Sequence, residues 1–213
     1  MGDLALLVAL VAAYGVGSIP SGFLVARRAG VEDIRQHGSG NIGATNILRT
    51  LGWRAALPVL LFDALKGAIG VLLLRLVGGG PEWQAVGGIA AMAGHIWPFT
   101  LGFHGGRGVA TGIGVLAALD PLAALVATLT FVLVVATSRF VSLGSITAGI
   151  PAIIALVLRG ASLGELAVVS VGVAAIIWRH GPNIQRLRAG TESRFSLRGK
   201  GASTPPAGQP VHH

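Results

Sequence analysis

The chain has 213 residues, of which 53% are hydrophobic and 11% charged, with a formal net charge of +8 and a mean hydropathy of +0.75. Soluble domains carry about 25% charged residues, so this balance argues against a soluble fold and for a helical bundle with the bilayer as solvent. Cysteine is absent, which excludes a disulfide framework, a thiolate nucleophile and a cysteine-based metal site.

The first apolar segment, near 4–26, has Asp3 before it and Arg27-Arg28 after it. A cleavable signal peptide has the opposite charge order, so a retained helix is expected, with its N-terminus outside and Arg27 inside. A polar stretch follows, "HGSGNIGATN" at 37–46, whose residue types cannot build a core. Further apolar segments lie near 53–77, 83–103, 108–137, 138–158 and 163–180. The stretch 108–137 is too long for one span: thirty residues of helix run about 45 Å against a hydrocarbon core of about 30 Å. It also holds Asp120-Pro121 near its middle, a carboxylate and a helix breaker that are costly in lipid.

Charge parity supports a break there. Residues 27–54 carry five arginines, and the chain after 178 carries five arginines and Lys200. Both should lie in the cytoplasm by the positive-inside rule, so an even number of spans separates them. The expectation is an all-α polytopic membrane bundle of seven transmembrane helices, N-terminus outside and C-terminus cytoplasmic. It forms one domain over 1–198, followed by a tail, 199–213, without hydrophobic pattern and expected to be disordered.

With that topology the unusual residues gather on the cytoplasmic face. They are the opening loop, "GFHGGRGVATG" (102–112), "SRFVSLGSI" (138–146) and "RHGPNIQRLRAGTESR" (179–194). Glycines let successive N–H groups converge on an anion, and a helix N-terminus behind them adds positive potential. In "GGRGVATG", Gly105, Gly106 and Gly108 free the backbone, Arg107 offers a bidentate fork and Thr111 a hydroxyl. "SGNIGATN" has the same components, with Arg49 one helical turn beyond Asn46. Asp63 and Lys66 are three apart on one helical face; ionisable groups inside a membrane turn toward the bundle interior and mark function. His95 reads as a helix-end residue bonded to backbone, His37 and His104 as loop residues. The four tryptophans fall near span ends, as interfacial anchors.

The ordered motifs "SGNIGATN", "GHIWPF" with "GGRGVATG", "SLGSI" and "NIQRLRAGTE", spread over residues 14–194, resemble those of the bacterial acyl-phosphate:glycerol-3-phosphate acyltransferases of phospholipid synthesis. The resemblance implies a fatty acyl phosphate donor, glycerol 3-phosphate as acceptor and lysophosphatidic acid as product. It also implies seven spans in the same orientation, in the bacterial inner membrane. It places Ser39, Gly40, Asn41, Gly43, Thr45 and Asn46 near the acyl phosphate and Arg49 at the acceptor site. Gly105, Gly106, Gly108 and Thr111 match its phosphate-holding motif, Ser142 and Ser145 its third motif, and His180 and Asn183 the glycerol phosphate end. One departure is Arg107 where the family has lysine; another is Arg194 where lysine is common. An acyl phosphate is already activated, so catalysis reduces to positioning and charge neutralisation by Arg49, Arg107 and Lys66. The proton goes to His180 or to a substrate phosphate oxygen, and the resemblance favours the latter. The protein is expected to act as a monomer among membrane lipids, without metal, cofactor or nucleic acid.

Two other classes compete. An acyl-CoA acyltransferase with a His-x4-Asp dyad finds no support, since His37, His95, His104 and His180 all lack Asp five residues on. A transporter of anionic metabolites would want inverted repeats around a midplane site, and no internal repeat is visible.

Overall fold

The computed structural model of the chain describes residues 2–195, so the expected tail over 199–213 lies outside the described residues. These fold as eleven α-helices: α1 (Asp3–Gly17), α2 (Ser21–Arg28), α3 (Ala44–Leu51), α4 (Trp53–Leu76), α5 (Pro81–Ile96), α6 (Val109–Leu119), α7 (Pro121–Ser138), α8 (Val141–Thr147), α9 (Gly149–Leu158), α10 (Leu163–Arg179) and α11 (Gly181–Arg188). Short 3-10 turns occupy Ile34–Gln36 and Phe99–Leu101.

Helix breaks follow local chemistry. The expected break at Asp120-Pro121 is present. Asp120 accepts from the N–H groups of Leu122 and Ala123 at 2.9 and 3.0 Å, and Pro121 starts α7, where its missing N–H costs nothing. Pro20 separates α1 from α2. At His180 the chain bends by 54° between α10 and α11.

Four helical segments among the described residues are long and apolar enough to cross a membrane: Asp3–Arg28, Trp53–Leu76, Pro121–Ser138 and Val141–Leu158; the bent pair α10–α11 is a fifth. The expected seven apolar segments are all helical, but two fall short of that measure. The helix expected over 83–103 stops at Ile96, and α6 has only 11 residues, or about 16 Å against a core of about 30 Å. The shortfall has a cause: residues 97–108 leave the helix to build a polar loop.

α4 is the central post. Its buried side carries Val59, Asp63, Lys66, Gly67, Gly70, Val71 and Leu74, while Leu57, Leu61, Phe62 and Leu65 on the other side are exposed, as suits a lipid-facing surface. Small residues let the backbones touch. A Cβ on Gly67 would strike the Thr111 carbonyl of α6, one on Gly70 the Gly87 carbonyl of α5, and one on Gly114 the Ala64 carbonyl of α4. α1 meets α5 the same way, Gly17 against Ala91 and Gly94 against Tyr14. A second core, of Ala26, Ile34, Ile42, Ile47, Ala56 and Val59, holds α2, α3 and the loop between them onto the first turns of α4.

Candidate active site

One side chain orders the first polar loop. Asn46, in the first turn of α3, donates to the carbonyls of Asn41, His37 and Ile34 at 2.8, 3.0 and 3.3 Å, and its oxygen accepts from the Ser39 N–H at 2.8 Å. Gly38 has φ +59°, and a Cβ there would run into the Asn46 amide; only glycine lets the chain wrap so closely. Asn41 accepts from the Gly43 N–H at 2.8 Å, closing a turn that delivers the N-terminus of α3.

The second loop is held from two sides. Its start is tied to the first helix, Tyr14 donating to the Trp97 carbonyl at 2.8 Å and Thr100 to that of Ser18 at 2.7 Å. The N–H groups of Gly105 and Gly106 donate to the carbonyls of Ile96 and His95 at 3.1 and 3.0 Å. Arg179 of α10 donates to the carbonyls of Gly106 and Gly105, both at 3.3 Å. The two N–H groups expected to grip an anion are therefore engaged with α5, and these glycines serve close packing against His95 and Pro98. Free donors begin one residue after Arg107. Gly108, at φ +82°, caps α6, and the N–H groups of Gly108, Val109 and Ala110 have no intrahelical partner.

Both loops open on one cavity of about 480 Å³. Ser39, Asn41, Gly43, Thr45 and Asn46 form one wall; Arg107, Gly108, Val109 and Ala110 form the facing one. Ser145, His95, Asp63 and His180 complete the polar end. Leu60 and Leu61 of α4, Ile113 of α6 and Phe131 and Val132 of α7 line the rest. Leu60, Leu61 and Val132 are also exposed on the outer surface, so the apolar end borders the lipid side. Two helix N-termini and a guanidinium thus meet an apolar channel, an arrangement suited to an anion carried on a hydrocarbon chain.

The charge around the polar end is in excess. Burial, and then the repulsion of Arg186, Arg49 and Arg179 against the pull of Glu192, bring the Arg107 guanidinium down to about 10. Arg49 is lowered as well, by burial first. Such crowding favours an incoming anion. His180 is buried, with Nδ1 2.8 Å from the Ile176 carbonyl. A carbonyl only accepts, so Nδ1 carries the proton and Nε2 is left as an acceptor at the cavity.

The other expected residues stand behind this wall. Lys66 is buried, 2.6 Å from Asp63 and bonded to the Ile19 carbonyl at 2.8 Å. Thr111 is fully buried, with no partner for its hydroxyl among the described residues. Gly40 is exposed on the first loop. Ser142 and Asn183 both donate to Glu192, at 2.8 and 2.6 Å, and Arg186 donates to the same carboxylate at 2.7 Å. Arg49 reaches the Ser193 carbonyl at 3.4 Å. Asn183 keeps a buried carbonyl oxygen without a partner among the described residues. Sequence reasoning passed over Glu192, which joins α8, α11 and the 191–195 segment. It also placed His95 at a helix end on backbone, whereas the imidazole is buried, 3.4 Å from Lys66 and 3.5 Å from Asp63. The "GHIWPF" string ahead of the glycine loop was the available signal.

Comparison with known proteins agrees with this geometry. A family model described as glycerol-3-phosphate acyltransferase matches residues 7–190. The glycerol-3-phosphate acyltransferase of Geobacter sulfurreducens is 48% identical over 191 residues, covering 89% of this chain and 97% of the relative. That of a Thermus thermophilus strain is 47% identical, covering 89% and 94%. The crystal structure of PlsY, an integral membrane glycerol 3-phosphate acyltransferase, in its glycerol 3-phosphate form superposes with a TM-score of 0.85 at 40% identity, covering 90% of this chain and 96% of that one. The lysophosphatidic acid form of PlsY gives 0.83 at 38% identity, covering 91% and 97%. With its apolar helices, the protein is a multi-pass membrane protein, and the chain belongs to the glycerol-3-phosphate acyltransferase family.

Proposed function

We propose that this protein transfers a fatty acyl group from acyl phosphate to the sn-1 hydroxyl of glycerol 3-phosphate, releasing lysophosphatidic acid and phosphate. The observation that carries the reading is the cavity that both loops share, cationic at one end and apolar at the other. Solved forms of PlsY with glycerol 3-phosphate and with lysophosphatidic acid support acceptor and product.

In this reading the acyl chain lies along Leu60, Leu61, Ile113, Phe131 and Val132, and its phosphate sits between the N-termini of α3 and α6. Ser39, Asn41, Gly43 and Thr45 border the donor phosphate. Arg107, with Arg49 behind it, holds the acceptor phosphate and offsets the repulsion between the two anions. The hydroxyl oxygen attacks the carbonyl carbon, the bond from that carbon to the phosphate oxygen breaks, and phosphate leaves. The hydroxyl proton goes to a phosphate oxygen of the donor; His180 Nε2 is the protein group positioned to take it instead. Seven helical segments cross the inner membrane, with the N-terminus outside and the cavity's polar end facing the cytoplasm. Residues 1–198 act as one monomeric domain.

The test uses protein purified in detergent, with palmitoyl phosphate or palmitoyl-CoA as donor. Formation of lysophosphatidic acid that depends on glycerol 3-phosphate, from palmitoyl phosphate only and with release of phosphate, is the expected result. Equal transfer from palmitoyl-CoA overturns the donor assignment. Uptake of glycerol 3-phosphate into proteoliposomes without acyl transfer overturns the enzyme reading. The Arg107→Ala variant should raise KM for glycerol 3-phosphate by about 10- to 100-fold, the loss of one charge-assisted bidentate contact.

A further inference from the structure

The proposed mechanism leaves a buried cluster unused. Asp63 and Lys66 of α4, His95 of α5 and Ser21 of α2 meet in the bundle interior. Lys66 lies 2.6 Å from Asp63, and Ser21 donates to the same carboxylate at 2.5 Å. Lys66 also donates to the Ile19 carbonyl at 2.8 Å, where α1 breaks into α2. His95 faces this cluster with Nδ1, at 3.4 Å from Lys66 and 3.5 Å from Asp63.

The opposite edge of the same ring faces the glycine loop. A Cβ built on Gly106 would collide with His95 Nε2 first, and then with the two ring carbons beside it. The backbone of His95 adds a second hold, its carbonyl accepting from the Gly106 N–H at 3.0 Å. Arg179 presses from the other side through the carbonyls of Gly105 and Gly106. Arg107 and the N-terminus of α6 come directly after this clamped pair. One edge of the His95 ring thus faces the charged cluster through Nδ1, and the other packs closely against the Gly106 backbone through Nε2. The ring also borders the cavity.

We propose that His95 is a positioning residue: Asp63 and Lys66 fix its ring, and the ring wedges against Gly106 so that Arg107 and the first turn of α6 aim into the cavity. The inference deepens the proposed function and rests on Arg107 gripping the acceptor phosphate. It makes the placement of the anion site depend on the α4–α5 contact.

A double-mutant cycle tests it. Gly106→Ala alone forces a methyl into the His95 ring and should raise KM for glycerol 3-phosphate sharply. In the His95→Ala background that methyl meets space, so the same change should cost little. Side chains in contact show coupling of up to about 100-fold, and the expected coupling here is at least about tenfold, with the pair better than the product of the single effects. Additive effects overturn the proposal. If Gly106→Ala does not fold, recovery of a folded, monodisperse protein in the double variant supports the wedge, and no recovery overturns it. Arg107→Ala is the control that separates the two layers. Should it leave KM for glycerol 3-phosphate unchanged, the anion-site reading fails, while the coupling read as thermal midpoint in detergent still decides whether His95 holds the loop.

Discussion

Asn46 and Glu192 each serve as a hub whose partners are far apart in sequence. Asn46 satisfies three carbonyls and one N–H of the 34–41 loop, so its loss strands the buried Ile34 carbonyl and three half-buried backbone groups. Leaving such groups unpaired costs about 1–3 kcal/mol each. Asn46→Ala is expected to lower stability by about 3 kcal/mol on that scale, seen as a reduced thermal midpoint in detergent, and to disorder the wall that carries Ser39 and Thr45. Glu192 ties Ser142, Asn183 and Arg186 together. Burial pushes its pKa up, but the hydrogen bonds from Asn183 and Ser142 and the Arg186 pair outweigh burial and hold it below the usual 4.5. A lowered carboxylate stabilises the fold fully above its ordinary pKa and loses that contribution as pH falls through the folded value. The 191–195 segment should therefore loosen below about pH 4.5, visible as faster amide exchange. Glu192→Gln should be looser at pH 7 and show a flatter response to acid. Little of this was legible in the sequence. "SGNIGATN" reads as a ligand loop because its residue types suit one, yet whether an amide bonds a ligand or its own loop depends on how the chain closes. Gly105 and Gly106 mislead for the same reason: their N–H groups are claimed by the carbonyls that end α5.

Among the elements, α4 sets the frame because its glycines and those facing it remove the side chains that would hold helices apart. The effect is local enough to predict glycine by glycine. Gly114→Ala directs a methyl at the Ala64 carbonyl, backbone that cannot swing aside; such overpacking costs about 1–3 kcal/mol. Gly15 also lies within a helix, but nothing stands within 4 Å of a Cβ there. Gly15→Ala should leave the midpoint unchanged or raise it slightly, since alanine is the better helix former by up to about 1 kcal/mol. A thermal comparison of the two variants checks the pair. Helix breaks were the most legible feature. Asp120-Pro121 declares itself because an N-cap and a first-turn proline act within three residues. The early end of α5 did not, since hydropathy continues through "IWPFTLGF" while the chain there turns to bond Ser18 and Tyr14 on another helix.

For the whole molecule, α6 decides which compartment each loop faces. With 11 residues it is shorter than the bilayer core, while α7 is long enough. If both cross, four crossings by α6, α7, α8–α9 and α10 separate the glycine loop from α11, and the two share a side. If α6 were re-entrant, three crossings would remain and α11 would face the opposite compartment. Arginine placement favours the first arrangement, since Arg107, Arg139, Arg179 and Arg186 would all lie inside. So does the structure of the site: Arg179 bonds the glycine loop directly, and Glu192 lies within electrostatic reach of Arg107. The native chain has no cysteine, so single introduced thiols report sidedness without background. His104→Cys and Arg188→Cys should react with an impermeant maleimide in inverted membrane vesicles and stay silent in intact spheroplasts. Glu82→Cys, in the first turn of α5 at the opposite end, should show the reverse. Labelling of Arg188→Cys and His104→Cys from opposite sides would remove the even crossing count, and with it the proposed cytoplasmic placement of a cavity formed by loops that must come from one face.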